Sequence, residues 1–282
     1  MTTATAAELE AVWAERVRQN RDQVDLIREV PDRDFYAPVS SLFVADPRRT
    51  GEEALEALLR LAAPTDRWLD IGAGAGRYAL PLAIEVAEVI AVEPSASMRN
   101  ALRTGKSEHG LANLRIVAGA WPAALADLGD PPVADVAFIA HVGYDIEEIG
   151  PFLDAMDTAA SRMCVAMLTD RSPASVADPF WPEVHGMERI PLPALPELAE
   201  LLRARGRQTD IVRVERAPRT FDSFDGLATF IRRQLWIADD GEKEQRFREA
   251  LGRMARETDD DGWTLATPPV GSIGIVTWTP AG

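Results

Sequence analysis

Apolar residues recur at helical spacing from the start of the chain, with Leu9, Val12, Trp13, Val17, Val24 and Ile27 on one side of a helix over 7–28. Pro31 and the stretch Asp34-Phe35-Tyr36-Ala37-Pro38 break that pattern. A second helix fits 51–62 through Ala54, Leu55, Leu58, Leu59 and Leu61. Beyond Pro64 the pattern changes to short apolar runs that alternate with helical spacing. Strands are predicted at 67–71, 88–92, 113–118, 134–140 and 162–168, with helices at 76–86, 95–104, 121–128 and 149–160 between them. Short apolar strands separated by helices predict a parallel sheet covered on both faces. Pro81 fits the first of these helices, because a helix starting near Arg77 leaves its early N–H groups unpaired in any case.

After the fifth strand the rhythm is lost. Residues 171–194 carry five prolines together with Trp181 and His185, and predict a long irregular connection of the kind that serves as a lid or binding loop. A helix at 195–205, a strand at 210–216, helices at 223–237 and 241–257 and a last strand at 273–279 complete the chain. The Asp-rich stretch 258–261 reads as a solvated turn.

The first strand, Trp68-Leu69-Asp70-Ile71, runs into glycines at 72, 74 and 76, and a helical pattern follows at once. A strand turning tightly into a helix, with side chains removed, suits a ligand that approaches the backbone. Glu93 closes the next apolar run, 21 residues after Gly72, where a carboxylate at the neighbouring strand tip suits a ribose diol. Two cofactor classes use such turns. From Gly72 the GxGxxG template of dinucleotide sites fails at Arg77, and from Gly74 the permissive GxGxxA form matches through Gly76 and Ala79. Asp70 weighs against a pyrophosphate on this turn and would favour an ammonium group. S-adenosylmethionine (SAM) carries an α-ammonium, a ribose diol, an adenine and a carboxylate that a helix N-terminus receives.

The segment Leu69-Asp70-Ile71-Gly72-Ala73-Gly74-Ala75-Gly76 and the tip Val92-Glu93-Pro94-Ser95 resemble the first two motifs of class I SAM-dependent methyltransferases. The resemblance implies a Rossmann-like α/β three-layer sandwich, its seven-stranded sheet mostly parallel with an antiparallel last strand. It implies that Gly72, Gly74 and Gly76 line the methionine portion, that Asp70 lies near the amino group and that Glu93 and Pro94 lie at the ribose. The third motif departs from the family: Ala118-Gly119-Ala120-Trp121 lacks the usual acid at the adenine. Ala120 and Trp121 remain at that position, and two readings of Trp121 stand, an aromatic face on the adenine or a core residue opening the next helix. At the fourth strand tip, Ala140-His141-Val142-Gly143-Tyr144-Asp145, His141 is a candidate for the methionine carboxylate or for removing an acceptor proton. Tyr144 is a second catalytic candidate, with helix capping as its alternative. No Asn/Asp-Pro-Pro-Tyr/Phe signature of amino-methylating DNA enzymes is present. His185 is either a substrate contact or a packed anchor, His109 a helix terminus and Cys164 a core residue. Phe35 and Tyr36 are candidates to fold over a bound cofactor.

The expected organisation is an N-terminal helical cap over 1–50 and a SAM-binding domain over 51–282, with insertions at about 171–194 and 221–258. At 282 residues the chain is long enough for a sizeable core, and a net charge of −15 disfavours nucleic acid as the acceptor. A small-molecule acceptor is therefore expected. No bound metal is expected, because no cluster has ligand spacing. The N-terminal ten residues lack the pattern of a leader peptide, no apolar run approaches the ~20 residues needed to cross a bilayer, and a single cysteine suits a reducing compartment, so a cytoplasmic protein is expected. Two other classes stay open: an NAD(P)-dependent oxidoreductase, although no Tyr-x-x-x-Lys pair is visible, and a non-catalytic SAM-binding module.

Overall fold

The capping box at Thr5 starts the first helix: its hydroxyl accepts from Glu8 N and Glu8 Oε2 accepts from Thr5 N at 2.8 Å. The computed structural model describes residues 4–30, 37–215, 218–260, 262–266 and 271–281. In chain order these form α1 (Ala6–Ile27), a 3₁₀ turn (Ala37–Phe43), α2 (Glu53–Leu59), β1 (Arg67–Ile71), α3 (Ala79–Glu85), β2 (Glu88–Glu93), α4 (Ala96–Glu108) and β3 (Leu114–Ala118). A 3₁₀ turn (Ala123–Asp127), β4 (Ala134–Ala140), α5 (Ile149–Ala159), β5 (Ala160–Thr169), a 3₁₀ turn (Pro173–Phe180), α6 (Trp181–His185), α7 (Leu195–Ala204) and β6 (Thr209–Glu215) follow. The chain ends with α8 (Phe224–Leu235), α9 (Gly241–Met254), β7 (Ala255–Glu257), β8 (Trp263–Leu265) and β9 (Ser272–Trp278).

Seven strands lie in the order β3-β2-β1-β4-β5-β9-β6. The first five are parallel, and β9 is inserted antiparallel between β5 and β6. Strand order reverses at β1, so the crevice beyond the carboxyl ends of β1 and β4 is the place where such sheets receive ligands. The register puts Ile71 beside Val92 and Ile139, which aligns the tips of β1, β2 and β4.

Alternate residues of each strand serve opposite faces. Trp68, Val136 and Phe138 pack with Leu55, Leu58, Leu80 and Leu102 of α2, α3 and α4. Leu69, Ile71 and Ile139 pack with Phe152, Leu198 and Leu202 of α5 and α7, covered in turn by Trp13 and Val17 of α1. A third core gathers Phe180, Trp181, Phe221, Ile231 and Phe247 around Val24 and Ile27 at the far end of α1.

Three expectations differ from the structure. The 171–194 stretch is irregular only in part: its 3₁₀ turn and α6 bury Phe180, Trp181 and Val184 in the third core, and 186–194 forms no regular element. Pro173 and Pro182 occupy the first turns of these short helices, where a missing N–H is harmless, while Pro179 lies inside the 3₁₀ turn. The helix expected at 121–128 is a short 3₁₀ turn. Helix α9 ends at Met254, and the next residues pair as β7 with β8 across a turn closed by Thr258 N to Gly262 O at 2.7 Å. Three-residue strands carry no periodicity of their own, and their pairing is decided by tertiary contact. Pro81 lies in the first turn of α3. Among the described residues no helix is long and apolar enough to cross a membrane.

Candidate functional site

The turn after β1 is clamped to β2 by Gly72 N and Ala73 N, which donate to Val92 O at 2.8 and 3.1 Å. Gly72, Gly74 and Gly76 all have positive φ, at 73°, 57° and 90°. Their surroundings differ. A Cβ on Gly72 would meet Val142 Cγ2 at 2.6 Å, and one on Gly76 would collide with Leu80 and Leu102. At those two positions glycine answers to the protein's own side chains as well as to backbone conformation, which differs from the expectation that all three clear a path for a ligand. A Cβ on Gly74 would meet nothing within 4 Å. Gly74 alone of the three leaves open space.

Glu93, buried at the tip of β2, reaches across to this turn. Its Oε2 accepts from Gly74 N at 2.8 Å and its Oε1 from Ser95 N at 2.7 Å. The carboxylate is thereby fixed at the edge of the crevice. Ser95 caps α4 by accepting from Met98 N at 3.2 Å. Pro94 and Ala120 are exposed on either side, and Gly119 N donates to Glu93 O at 3.4 Å, which brings the β3 tip alongside.

Asp70 is only 2% exposed and makes no hydrogen bond to a described residue. Burial, and next the neighbouring Glu93 charge, push its carboxyl up to about 8. A buried acid without a donor is costly, and such a group at the carboxyl edge of a switch-point crevice marks a functional site. The arrangement supplies an electronegative floor, an open backbone turn and a fixed carboxylate within one crevice.

Residues 69–176 match the family described as a methyltransferase domain. Residues 69–176 thus carry a methyltransferase domain. No curated protein sequence matches the chain. Solved structures show the same fold at low identity. A SAM-dependent methyltransferase from Geobacter sulfurreducens, crystallised with S-adenosylhomocysteine, is 16% identical with a TM-score of 0.54, covering 89% of this chain and 99% of its own. A SAM-dependent methyltransferase from Thiobacillus denitrificans, also with S-adenosylhomocysteine, is 14% identical with a TM-score of 0.52, covering 89% and 99%. The YcgJ protein of Bacillus subtilis is 17% identical with a TM-score of 0.53, covering 82% and 99%.

The methyltransferase domain holds the other candidates in distinct settings. His141 follows β4 with φ 56°, a left-handed conformation, and its N–H donates to Met167 O at 2.8 Å. Its ring lies 6.5 Å from the ring of Tyr78. A non-glycine residue held at positive φ at a strand tip is strained and draws attention to that tip. Tyr144 is buried three residues on. Thr169 Oγ1 donates to Arg171 O at 2.6 Å, so the Tyr144 hydroxyl donates to Thr169 Oγ1 and accepts from Thr169 N, both at 2.9 Å. That hydroxyl ties the β4 loop to the end of β5. Trp121 lies in the core with Phe152, and its Nε1 donates to Phe152 O at 3.2 Å.

His185 Nε2 donates to Leu235 O at 3.0 Å, its ring lies 4.8 Å from that of Trp181, and burial lowers its pKa to about 4. Its ring is therefore neutral near pH 7 and lies against Trp181. His109 caps the end of α4, and Cys164 is buried in β5 beside Asp157. Phe35 and Tyr36 lie outside the described residues. Sequence reading missed a polar group over the start of α3: Glu52 Oε2 accepts from Arg49 Nε at 2.6 Å and from Arg77 Nη2 at 2.7 Å. Arg49 also donates to Arg77 O at 2.9 Å and stands over the Tyr78 ring. These residues belong to no motif; only their crowding around the glycine turn would have singled them out.

Proposed function

We propose that this methyltransferase acts on a small-molecule acceptor, with SAM held along the crevice from Asp70 to Glu93. The observation that carries the reading is Asp70, a buried acid with no hydrogen-bond donor among the described residues, two residues before the glycine turn whose Gly74 leaves open space. A cationic ammonium there offsets both the burial and the repulsion from Glu93, whereas a pyrophosphate would add negative charge to two acids. Glu93, fixed by its backbone donors at the β2 tip, accepts the ribose hydroxyls. Pro94 lies at the ribose, Ala120 borders the adenine, and Gly72, Gly74 and Gly76 border the methionine portion. SAM supplies an already activated methyl on its sulfonium, so the chain's task is to align the acceptor and exclude water.

His141, at the β4 tip, is the residue in this reading that accepts a proton from the acceptor. Tyr144, whose hydroxyl proton is donated to Thr169, positions that loop. Residues 1–50 act as the cap and 51–282 as the methyltransferase domain, with insertions at about 171–194 and 221–258. The bond from Trp13 Nε1 to Ile146 O at 2.9 Å supports contact between the cap and the β4 loop. Isothermal titration with SAM, S-adenosylhomocysteine and NADH tests the cofactor. Saturable binding of the first two and none of NADH is expected; the reverse pattern overturns the assignment. Release of S-adenosylhomocysteine against a panel of small phenols, amines and acids then reports turnover.

A further inference from the structure

Just past the carboxyl end of β5 the chain encloses a cavity of about 140 Å³, walled by the 170–178 segment, residues 189–192, the start of α7 and Arg16 of α1. One water needs roughly 10–15 Å³ of such space, so the cavity admits a small molecule. Its walls hold charged groups whose hydrogen bonding is incomplete. The Arg189 side chain is 4% exposed, yet its guanidinium makes one hydrogen bond to a described residue, Nη1 to Ala174 O at 2.6 Å. Asp178 Oδ2 is taken by Arg171 Nη2 at 2.6 Å, while Asp178 Oδ1 is buried without a hydrogen bond. The distance from Asp178 Oδ1 to Arg189 is 3.8 Å, an ion-pair contact too long for a hydrogen bond. Burial lowers the pKa of Arg189 and raises that of Asp178, as expected of two charges removed from water before they are fully matched. The hydroxyls of Ser172 and Ser175 also line the space and bond to no described residue.

The unmet groups define a complement. Arg189 keeps a planar set of donors suited to a carboxylate, and Asp178 Oδ1 seeks a donor. Because the two stand 3.8 Å apart, the ligand's acceptor and donor must be neighbours on one small skeleton. The lining carries three arginines (Arg16, Arg171, Arg189) and three acids (Asp170, Asp178, Glu197), which suits an amphoteric guest better than a polyanion. The cavity wall is also joined to the reaction edge: Arg171 O accepts from Thr169 Oγ1, which binds Tyr144, three residues beyond His141. The wall and the β4 tip are thus held in one hydrogen-bonded chain.

We propose that this cavity is the acceptor subsite and takes a small amino or hydroxy acid, its carboxylate on Arg189 and its adjacent donor on Asp178. The proposal rests on the methyltransferase reading above. The test is isothermal titration of the intact chain, saturated with S-adenosylhomocysteine, against the twenty common L-amino acids and their 2-hydroxy analogues, with the methyl ester of each as its control. At least one acid should bind, with its ester at least tenfold weaker. Arg189→Met should lose at least tenfold for that acid while S-adenosylhomocysteine affinity stays within threefold. Absence of binding by every acid at 10 mM overturns the proposal, as does an ester or an Arg189→Met chain that binds equally well. Should Arg189→Met fail to fold, the acid-to-ester comparison on the unaltered chain decides alone. Failure of S-adenosylhomocysteine to bind overturns the cofactor reading instead, and the same titrations without it then test the cavity independently.

Discussion

Asp70→Asn separates the cost of the site from its use. In the unliganded protein the Asp70 carboxyl is raised from 3.8 to about 8 by burial and by Glu93. Because the folded value lies above the unfolded one, its contribution to stability is fully present below about pH 4 and is lost as the pH rises to about 8. At pH 7 the unfolded chain has released this proton and the folded chain still holds it, a difference of about 3 pH units or about 4 kcal/mol. Asparagine keeps the shape and never ionises. Asp70→Asn should therefore stabilise the unliganded protein by up to about 4 kcal/mol at pH 7, and by about 2 kcal/mol at pH 5, in urea denaturation. SAM binding should move the other way, weakening by about 2 kcal/mol or more through loss of a buried charge partner. For the unaltered chain, SAM affinity should also fall as the pH drops below about 8, by about tenfold per unit, because the cation must displace the proton. A variant no more stable than its parent at pH 7, or one that binds SAM as tightly, would refute this account of Asp70.

Other substitutions probe the remaining parts of the crevice. Glu93→Gln replaces an acceptor of two backbone N–H groups and should weaken SAM by about tenfold or more, measured by titration, as expected for loss of charge-assisted hydrogen bonds. Gly72→Ala brings a methyl to Val142 at a positive φ and should lower stability by about 1–3 kcal/mol in thermal melts. Gly74→Ala meets no protein atom, so its stability cost should stay near about 1 kcal/mol while SAM affinity falls sharply; equal effects of the two alanines would sink the distinction. Tyr144→Phe strands Thr169 N in a buried setting and should cost about 1–3 kcal/mol in denaturation while SAM affinity stays within threefold.

The sheet was legible because the central parallel strands are short, mostly apolar and mostly buried: 67–71 and 134–140 read from pattern are the observed bounds of β1 and β4. The cofactor end was legible for the same local reason. Asp70, the glycine turn and Glu93 lie at strand tips, so spacing along the chain translates directly into position. What lay beyond reach was decided by contacts distant in sequence. The β7–β8 hairpin is three residues on each side, Trp121 turns inward because Phe152 offers a carbonyl, and Tyr144 is held by Thr169. Arg189 and Asp178 meet only because the proline-rich stretch folds back onto α1 and α7, and nothing in their local sequence distinguishes them from surface charges.

Helix α1 belongs to two cores at once. Its 22 residues span about 33 Å, with Trp13 and Val17 under the sheet's helical layer and Val24 and Ile27 in the cluster built from α6, α8 and α9. Between those anchors Asn20 and Gln23 are stitched to the backbone carbonyls of Ile190 and Glu188, the same stretch that carries Arg189. The helix is therefore a shared beam: tilting the appended lobe drags the far wall of the cavity with it, and loosening either end of the beam loosens the guanidinium that wall supports.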